Sequence, residues 1–282
     1  MPALVTSSPS GSDDEARELA RRFNLLFEPR RDRLVDQLLI ASGGEPVLLL
    51  GALSADLYTR VANVTIASQR ASLGMALLRL ARAAASTEAP TPINSTLPTP
   101  INSALPTADT LVRAANLRPG DRVIDATLGL GADALIAAQA TRARVLAFEK
   151  SGVLAAFTQA ALRRPGGGPE LRKAALDAGE RIDIQVGDHL ELLKRQPDRS
   201  AEVVLFDPMF RSQVLSQPVF QVVRAHAERA PLSLEAIAQA RRVATRGVLI
   251  KDSPRGAELK RLGIETVYAR RFLYGWLDVP RH

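Results

Sequence analysis

The stretch "DATLGLGADAL", residues 125–135, is the most informative part of the sequence. It places Gly129 and Gly131 two residues apart, directly after an apolar run that ends in an acid. Glycines at this point let the backbone turn sharply and approach a ligand closely. The helix that follows offers free N–H groups at its first turn. The pattern is one glycine short of the dinucleotide fingerprint, so three interpretations stay open: an altered dehydrogenase turn, the loop of another cofactor, or an ordinary turn.

The length and composition indicate a globular protein with a substantial core. The chain has 282 residues, of which 46% are hydrophobic, enough for one large domain or two smaller ones. No apolar run reaches the ~20 residues of a membrane span, and the N-terminus lacks the pattern of a secretory signal. The absence of cysteine excludes disulfides and thiolate chemistry. The three histidines have no metal-site spacing, so a cytoplasmic protein without metal or membrane is expected.

The charge of the chain permits a nucleic-acid partner. The net charge is +7, from 37 Lys and Arg against 30 Asp and Glu. Most of the positive residues are arginines, which can bind phosphate through two hydrogen bonds. An arginine-rich composition also follows from a GC-rich genome, and both explanations stay open. The candidates for phosphate contacts are Arg30, Arg31, Arg33 and Arg211.

The first part of the chain, residues 1–87, is predicted to form a small α/β unit. A helix is expected from Asp13 to Leu25, because Ser12 or Asp13 can cap it and apolar residues fall on one face. Residues 33–42 and 45–53 are interpreted as strands, and residues 71–85 as a second helix. In residues 88–109 the segment 90–97 recurs almost unchanged as 98–105. Proline recurs too often there for a helix, so this stretch is interpreted as an extended linker, and a loop that grips the substrate stays open as the alternative.

From residue 110 to residue 282, predicted strands alternate with predicted helices. This order indicates right-handed parallel crossovers and a Rossmann-like, doubly wound α/β sheet. The chain ends in two strands close enough to form an antiparallel hairpin, which brings the sheet to seven strands. Ligands are expected at the carboxyl ends of the parallel strands. The expected strands cover residues 122–127, 143–150, 181–188, 201–208, 247–253, 265–272 and 274–280.

Polar residues follow three further strands. Glu149 ends the second strand about 20 residues after the glycine turn begins, where an acid can accept both hydroxyls of a ribose. Asp188 and His189 end the third strand, where a carboxylate can accept from an adenine amino group. Asp188 is also a good helix N-cap, and this alternative stays open.

The fourth strand ends in "DPMF", residues 207–210. Asp207 and the carbonyl of Pro208 can accept hydrogen bonds from an exocyclic amine. The proline stiffens the turn and removes a competing N–H group, and Phe210 can stack on a flat base. An acid, a proline and an aromatic residue in this order after a buried strand favour a site for an amino-bearing base over a plain turn.

Together, the four strand ends resemble those of class I S-adenosylmethionine-dependent methyltransferases. "DATLGLGADAL", "FEK", "LFDPMF" and "GVLIKDSP" further resemble the RsmJ (YhiQ-like) family of small-subunit rRNA guanine-N2 methyltransferases over residues 110–262. The resemblance implies that the glycine turn wraps the methionine part of the cofactor and that Asp207, Pro208 and Phe210 form the catalytic site. The expected cofactor contacts are Asp125, Gly129, Gly131, Ala132, Asp133, Glu149, Lys150, Asp188, His189 and Asp207.

The expected partner is RNA, as small-subunit rRNA or the assembled 30S-type subunit, and nothing in the sequence indicates an oligomeric state. The chain departs from the RsmJ pattern in two places: "RSQVLSQP" follows Phe210, and the proline-rich repeat replaces an arginine- and glycine-rich segment. Three other functions stay open: a nucleotide-dependent dehydrogenase, a non-catalytic RNA-binding protein, and a methyltransferase for a protein or small molecule. An acid at Asp133 disfavours the dehydrogenase, because it would repel a pyrophosphate.

Overall fold

The computed structural model describes residues 3–61, 64–70, 76–77, 79–81, 109–208, 230–269 and 272–280. Within these ranges the chain forms two sheets, one of five strands and one of seven. The first sheet has the order β2-β1-β3-β4-β5. Its elements are β1 (Leu4–Ser7), α1 (Asp13–Arg22), β2 (Leu26–Phe27), α2 (Val35–Ala41), β3 (Val47–Leu50), β4 (Ala55–Val61) and β5 (Val64–Arg70).

Helix α1 confirms the N-terminal cap and the buried apolar face that the sequence predicts. The side chain of Ser12 accepts a hydrogen bond from the N–H of Glu15, and three acids occupy the first turn, where they complement the helix dipole. Ala16 and Leu19 are buried against the first sheet. The stretch before this helix contains the buried strand β1.

The prediction of a strand at residues 33–42 is wrong, because residues 35–41 form helix α2. Its residues are mainly good helix formers, and Leu38 and Leu39 are buried while Ile40 is 64% exposed. The side chain of Gln37 accepts from the N–H of Leu34 at 2.8 Å, which satisfies a backbone donor at the start of the helix. An apolar run of this length does not by itself distinguish a strand from a short helix.

The seven-stranded sheet has the order β11-β12-β10-β9-β6-β7-β8. Strands β10, β9, β6, β7 and β8 are parallel, whereas β12 pairs antiparallel with both β10 and β11. The Rossmann-like sheet and its terminal antiparallel hairpin are thus confirmed. The strands are β6 (Val123–Asp125), β7 (Val145–Glu149), β8 (Ile182–Val186), β9 (Ala201–Phe206), β10 (Ala244–Asp252), β11 (Thr266–Ala269) and β12 (Leu273–Asp278).

Helices cover both faces of this sheet. The helices are α3 (Thr110–Ala114), α4 (Ala132–Thr141), α5 (Gly152–Leu162), α6 (Pro169–Gly179), α7 (His189–Lys194), α8 (Leu234–Val243) and α9 (Ala257–Leu262). One face carries α4, α5 and α6, whose buried residues share a core with Val123 and Leu205. The opposite face carries α7, α8 and α9, which pack around Ile124 and Val204.

The first sheet packs against the outer side of α5, so the two sheets share one continuous core. Arg164, which follows α5, reinforces the contact. Its guanidinium donates to the carbonyl of Gly51 at 2.9 Å and to Glu15 at 2.5 Å. The division at residues 87 and 109 stays a prediction, because residues 82–108 lie outside the described ranges. Of the helix expected at residues 71–85, the described residues 76–77 and 79–81 are helical.

Candidate active site

The strand register brings the polar strand ends to one face of the sheet. Asp125 pairs with Leu205, and Leu205 pairs with Leu249. Side chains two residues apart on a strand lie on the same face. Asp207 and Lys251, each two residues beyond this row, therefore lie on the face of Asp125, next to each other on neighbouring strands. This is the face that carries α4.

The glycine turn between β6 and α4 has the backbone that its sequence predicts. Gly129 and Gly131 have φ angles of 51° and 74°, in the left-handed region that favours glycine. The N–H of Gly129 donates to Glu149 Oε2 at 3.1 Å, and its carbonyl accepts from Thr158 Oγ1 at 2.6 Å. A Cβ atom on Gly131 would lie 2.8 Å from Thr158 Cγ2. Thr158 of α5 therefore holds the turn through its hydroxyl, and its methyl group leaves no room for a side chain at Gly131.

Glu149 lies at the end of β7, where the sequence placed it. It is buried and accepts from the N–H groups of Gly129 and Ser151 at 3.1 and 2.9 Å. Burial raises the pKa of its carboxyl, and these backbone hydrogen bonds partly offset the effect. The structure thus presents a carboxylate fixed by backbone donors beside the glycine turn.

Lys150, Asp188 and His189 lie together beyond Glu149. The ammonium of Lys150 is 3.3 Å from Asp188 Oδ2. Asp188 caps α7 by accepting from the N–H of Leu190 at 3.0 Å, which confirms its predicted capping role, and its contact with adenine stays a prediction. Burial opposes ionisation of Asp188, but the Leu190 N–H, His189 and Lys150 outweigh it and lower its pKa. The ring of His189 meets Phe206 edge-on at 5.7 Å.

Asp133 and Lys251 form the charged centre of the site. Lys251 Nζ lies 3.1 Å from Asp133 Oδ2 and 2.5 Å from Asp207 Oδ2. Its ammonium also lies 4.8 Å from the centre of the Phe272 ring. Burial opposes the charge of Lys251, but the two carboxylates outweigh burial and raise its pKa. The site thus holds a buried ammonium shared by two acids on different elements.

Arg79 reaches this centre from the segment that precedes residue 109. Its Nε and Nη2 each lie 2.7 Å from the carboxylate of Asp109, and its Nη1 lies 2.5 Å from Asp133 Oδ1. Asp109 also caps α3, accepting from the N–H of Leu111. This contact could not be predicted from the sequence, because Arg79 and Asp133 are 54 positions apart.

Carboxylates outnumber cations around this centre. Asp125 is 2% exposed, and its Oδ1 accepts from the N–H of Thr127 at 3.0 Å. Its Oδ2 is buried and has no hydrogen-bond partner among the described residues. Burial, followed by repulsion from Asp133, raises the pKa of Asp125 to about 7. Burial also raises the pKa of Asp207 to about 6, although Lys251 opposes the shift.

Asp207 and Pro208 leave β9 at the same edge. The N–H of Asp207 donates to Thr127 Oγ1 at 2.6 Å, which ties this strand end to the glycine turn of β6. Ala132 is the first residue of α4, directly after Gly131. Phe210, predicted to stack on the base, and Arg211, a candidate for phosphate contacts, lie outside the described residues. Apart from Phe210, the predicted site residues thus follow the carboxyl ends of β6, β7, β8 and β9.

A family described as "Putative SAM-dependent methyltransferase" matches residues 103–263, more than half of the chain. The protein belongs to this family. Its cofactor is S-adenosylmethionine, and the dehydrogenase interpretation of the glycine turn is therefore excluded. Within the described ranges, no group of three or more potential metal ligands is present, and no helix has the length and apolar character to cross a bilayer.

Individual relatives match part of the chain. An uncharacterised protein of Bacillus subtilis, YpiP, is 33% identical over 59% of this chain and 64% of its own length. Ribosomal RNA small subunit methyltransferase J of Halorhodospira halophila is 38% identical over 53% of this chain and 57% of its own length. The chain thus spans less than two thirds of the length of these relatives.

A crystal structure supports the fold over nearly the whole chain. A SAM-dependent methyltransferase from Neisseria gonorrhoeae superposes with a TM-score of 0.58, covering 98% of this chain and 96% of that one. The sequence identity is 18%, so this likeness concerns the fold alone.

Proposed function

We propose that this methyltransferase transfers the methyl group of S-adenosylmethionine to the exocyclic amine of a guanine in small-subunit rRNA. The observation that carries the proposal is the placement of Asp207 and Pro208 at the carboxyl end of β9. There the Asp207 carboxylate lies beside Asp133 and Lys251, with its backbone tied to Thr127 next to the glycine turn. The relatives named as small-subunit rRNA methyltransferases support the substrate class.

The residues present fit the cofactor. S-adenosylmethionine supplies a methyl group on a positively charged sulfur and also carries an ammonium, so it suits a site rich in carboxylates. The buried, unpartnered Oδ2 of Asp125 is an acceptor that a ligand donor would satisfy. In the proposed arrangement Gly129, Gly131, Ala132 and Asp133 hold the methionine part, and the carboxylates of Asp125 and Asp207 also face the cofactor. Glu149 and Lys150 hold the ribose, and Asp188 and His189 contact the adenine.

Asp207 and Pro208 would position the substrate. The Asp207 carboxylate and the Pro208 carbonyl accept hydrogen bonds from the amine, which directs its lone pair toward the cofactor. Phe210 stacks on the base. Such positioning in a pocket that excludes water can supply a large part of a rate enhancement. The amine proton leaves after transfer, so no strong general base is required.

A base inside an RNA helix cannot reach the carboxyl end of β9, so the target guanine must be unpaired or flipped out. Arginines outside the site are proposed to hold the phosphates. Arg33 is less suited to this role than the sequence suggested, because its guanidinium contacts Glu28 and donates to the carbonyl of Pro29 at 2.8 Å. Arg30 and Arg31 remain candidates. An rRNA substrate would place the protein in the cytoplasm.

The experiment that tests this proposal is transfer of labelled methyl from S-adenosylmethionine to small-subunit rRNA and to assembled subunits. Asp207→Ala should abolish transfer, while Asp183→Ala, on β8 and paired with Arg22 at 3.7 Å, should keep it. Mapping the label would identify the base.

Cofactor binding without transfer to either RNA would refute the rRNA substrate. RNA binding without any transfer would support the non-catalytic alternative, and transfer to a protein or small molecule would support the remaining one. Transfer that survives in Asp207→Ala would refute the assigned site.

A further inference from the structure

Lys251 is buried at the centre of the site, yet the proposed methyl transfer assigns it no contact with substrate or cofactor. Its side chain is 11% exposed. A buried ammonium is unfavourable unless it is paired, and this one has three neighbours: the carboxylates of Asp133 and Asp207, and the ring of Phe272. The position of the ammonium is therefore determined from three places: α4, the end of β9 and the residue just before β12.

Asp133 is in turn held from both sides. Lys251 binds its Oδ2, and Arg79 binds its Oδ1 while placing its other donors on Asp109. The result is a continuous chain of alternating charges, Asp109–Arg79–Asp133–Lys251–Asp207. One end lies at the cap of α3, and the other is the strand end proposed to receive the amine.

From this geometry we infer that Lys251 is a positioning residue for Asp207, and that Arg79 and Asp133 fix Lys251 for this task. The inference rests on the proposed function, because the role of Asp207 belongs to that proposal. Lys251 would keep Asp207 ionised and hold one of its oxygens in place. A protonated Asp207 would lose acceptor capacity toward an amine.

The charged and titratable groups that face Asp207 predict the direction in which its pKa shifts when a neighbour is removed. A purely structural role would predict no such direction. They are the carboxylates of Asp125 and Asp133, the ammonium of Lys251 and the phenol of Tyr274. The guanidinium of Arg79 lies one step further away, on Asp133. Lys251 lowers the pKa values of Asp125 and Asp207, whereas Asp133 raises both. Removing Lys251 should therefore favour the protonated acids, and removing the charge of Asp133 should favour the ionised ones.

The test is the affinity of the full chain for S-adenosylmethionine, measured by isothermal titration calorimetry from pH 5 to pH 9. This measurement needs no RNA. In Lys251→Met, the pH at which binding weakens on acidification should rise by about 1 unit or more. In Asp133→Asn it should fall, and in the double variant it should return toward the parent value. Lys194→Met removes an exposed lysine that pairs with Glu191 and Glu235, and should leave the profile unchanged.

Midpoints that move in opposite directions in the two single variants support the inference. Affinities that drop by one constant factor at every pH, with an unchanged midpoint, overturn it and leave Lys251 a structural residue. If circular dichroism shows that Lys251→Met does not fold, Asp133→Asn alone decides by the direction of its shift.

Methyl transfer to rRNA separates this inference from the proposed function. Lys251→Met should slow transfer by roughly 100-fold, the effect of a misplacement of about 1 Å. Opposite pH shifts without any transfer to rRNA would refute the proposed substrate and keep the positioning role. Transfer at the parent rate in Lys251→Met would overturn the positioning role and keep the substrate.

Discussion

Replacing Gly131 with alanine tests how closely Thr158 approaches the backbone of the glycine turn. Gly131 has a φ of 74° and caps α4, and a Cβ atom there would lie 2.8 Å from Thr158 Cγ2. Thr158 cannot turn away without a loss, because its hydroxyl donates to the carbonyl of Gly129 at 2.6 Å. The substitution should therefore impose both a backbone strain and a side-chain displacement.

The two effects can be estimated separately. A left-handed conformation costs a residue with a Cβ atom about 1–2 kcal/mol. Displacing Thr158 costs about 1 kcal/mol more if its hydrogen bond is lost. Gly131→Ala should thus lower the free energy of unfolding by roughly 2–3 kcal/mol. The matched control is Gly120→Ala: Gly120 has a φ of 89° and nothing within 4 Å of its added Cβ, so it should lose only the backbone part.

The assay is urea unfolding of the parent, both alanine variants, Thr158→Ser, and Gly131→Ala combined with Thr158→Ser. Serine keeps the hydroxyl and removes the methyl group that blocks the new Cβ. The double variant should therefore be about 1 kcal/mol more stable than the sum of the single effects predicts. Equal losses in Gly131→Ala and Gly120→Ala, with additive effects in the double variant, would refute the close approach.

Two further predictions concern buried charges outside the turn. Asp125, with a pKa raised to about 7, keeps in the folded state a proton that the unfolded chain loses near pH 4, so the parent should lose stability as the pH rises from 4 to 7. Asp125→Asn should remove up to about 4 kcal/mol of this loss in urea unfolding without cofactor, and parallel pH profiles would contradict the assignment. Arg164→Met should cost roughly 3 kcal/mol, because it removes the hydrogen bonds to Glu15 and to the carbonyl of Gly51. Arg163→Met, 41% exposed and 3.9 Å from Glu15, should cost less than about 0.5 kcal/mol, and equal losses would refute the role of Arg164.

The parallel sheet was predictable because its strands carry strong local signals. Each is a short apolar run that ends in a polar residue, and a helix-forming run follows. The polar residues at those ends, Asp125, Glu149, Asp188 and Asp207, could be assigned to one edge because all parallel strands of such a sheet end there. Their common edge follows from topology alone, without any knowledge of distances.

The charge network was not predictable, because it depends on contacts between positions distant in sequence. Lys251 follows an apolar run, a pattern that suits a solvated strand end as well as a site residue. Arg79 lies on an apolar helix pattern, which gives no sign that its guanidinium points to Asp109 and Asp133. Helix α2 was assigned wrongly for a related reason. Its buried residues are determined by how it packs against the first sheet, and its seven residues are too few to show a helical period in the sequence.

The structure gives a physical reason why the glycine turn lacks a third glycine. A pyrophosphate needs the free N–H groups and the positive end of a helix without a competing anion. Here the first turn of α4 carries Asp133, which is buried and ionised between Arg79 and Lys251. The two cations, Arg79 and Lys251, are outnumbered by four carboxylates, those of Asp109, Asp125, Asp133 and Asp207. A second anion at this helix end would meet net repulsion, whereas a ligand bearing an ammonium and a sulfonium would relieve it. In the proposed arrangement, the same residues that complete the charge network would therefore favour a cationic cofactor over a dinucleotide.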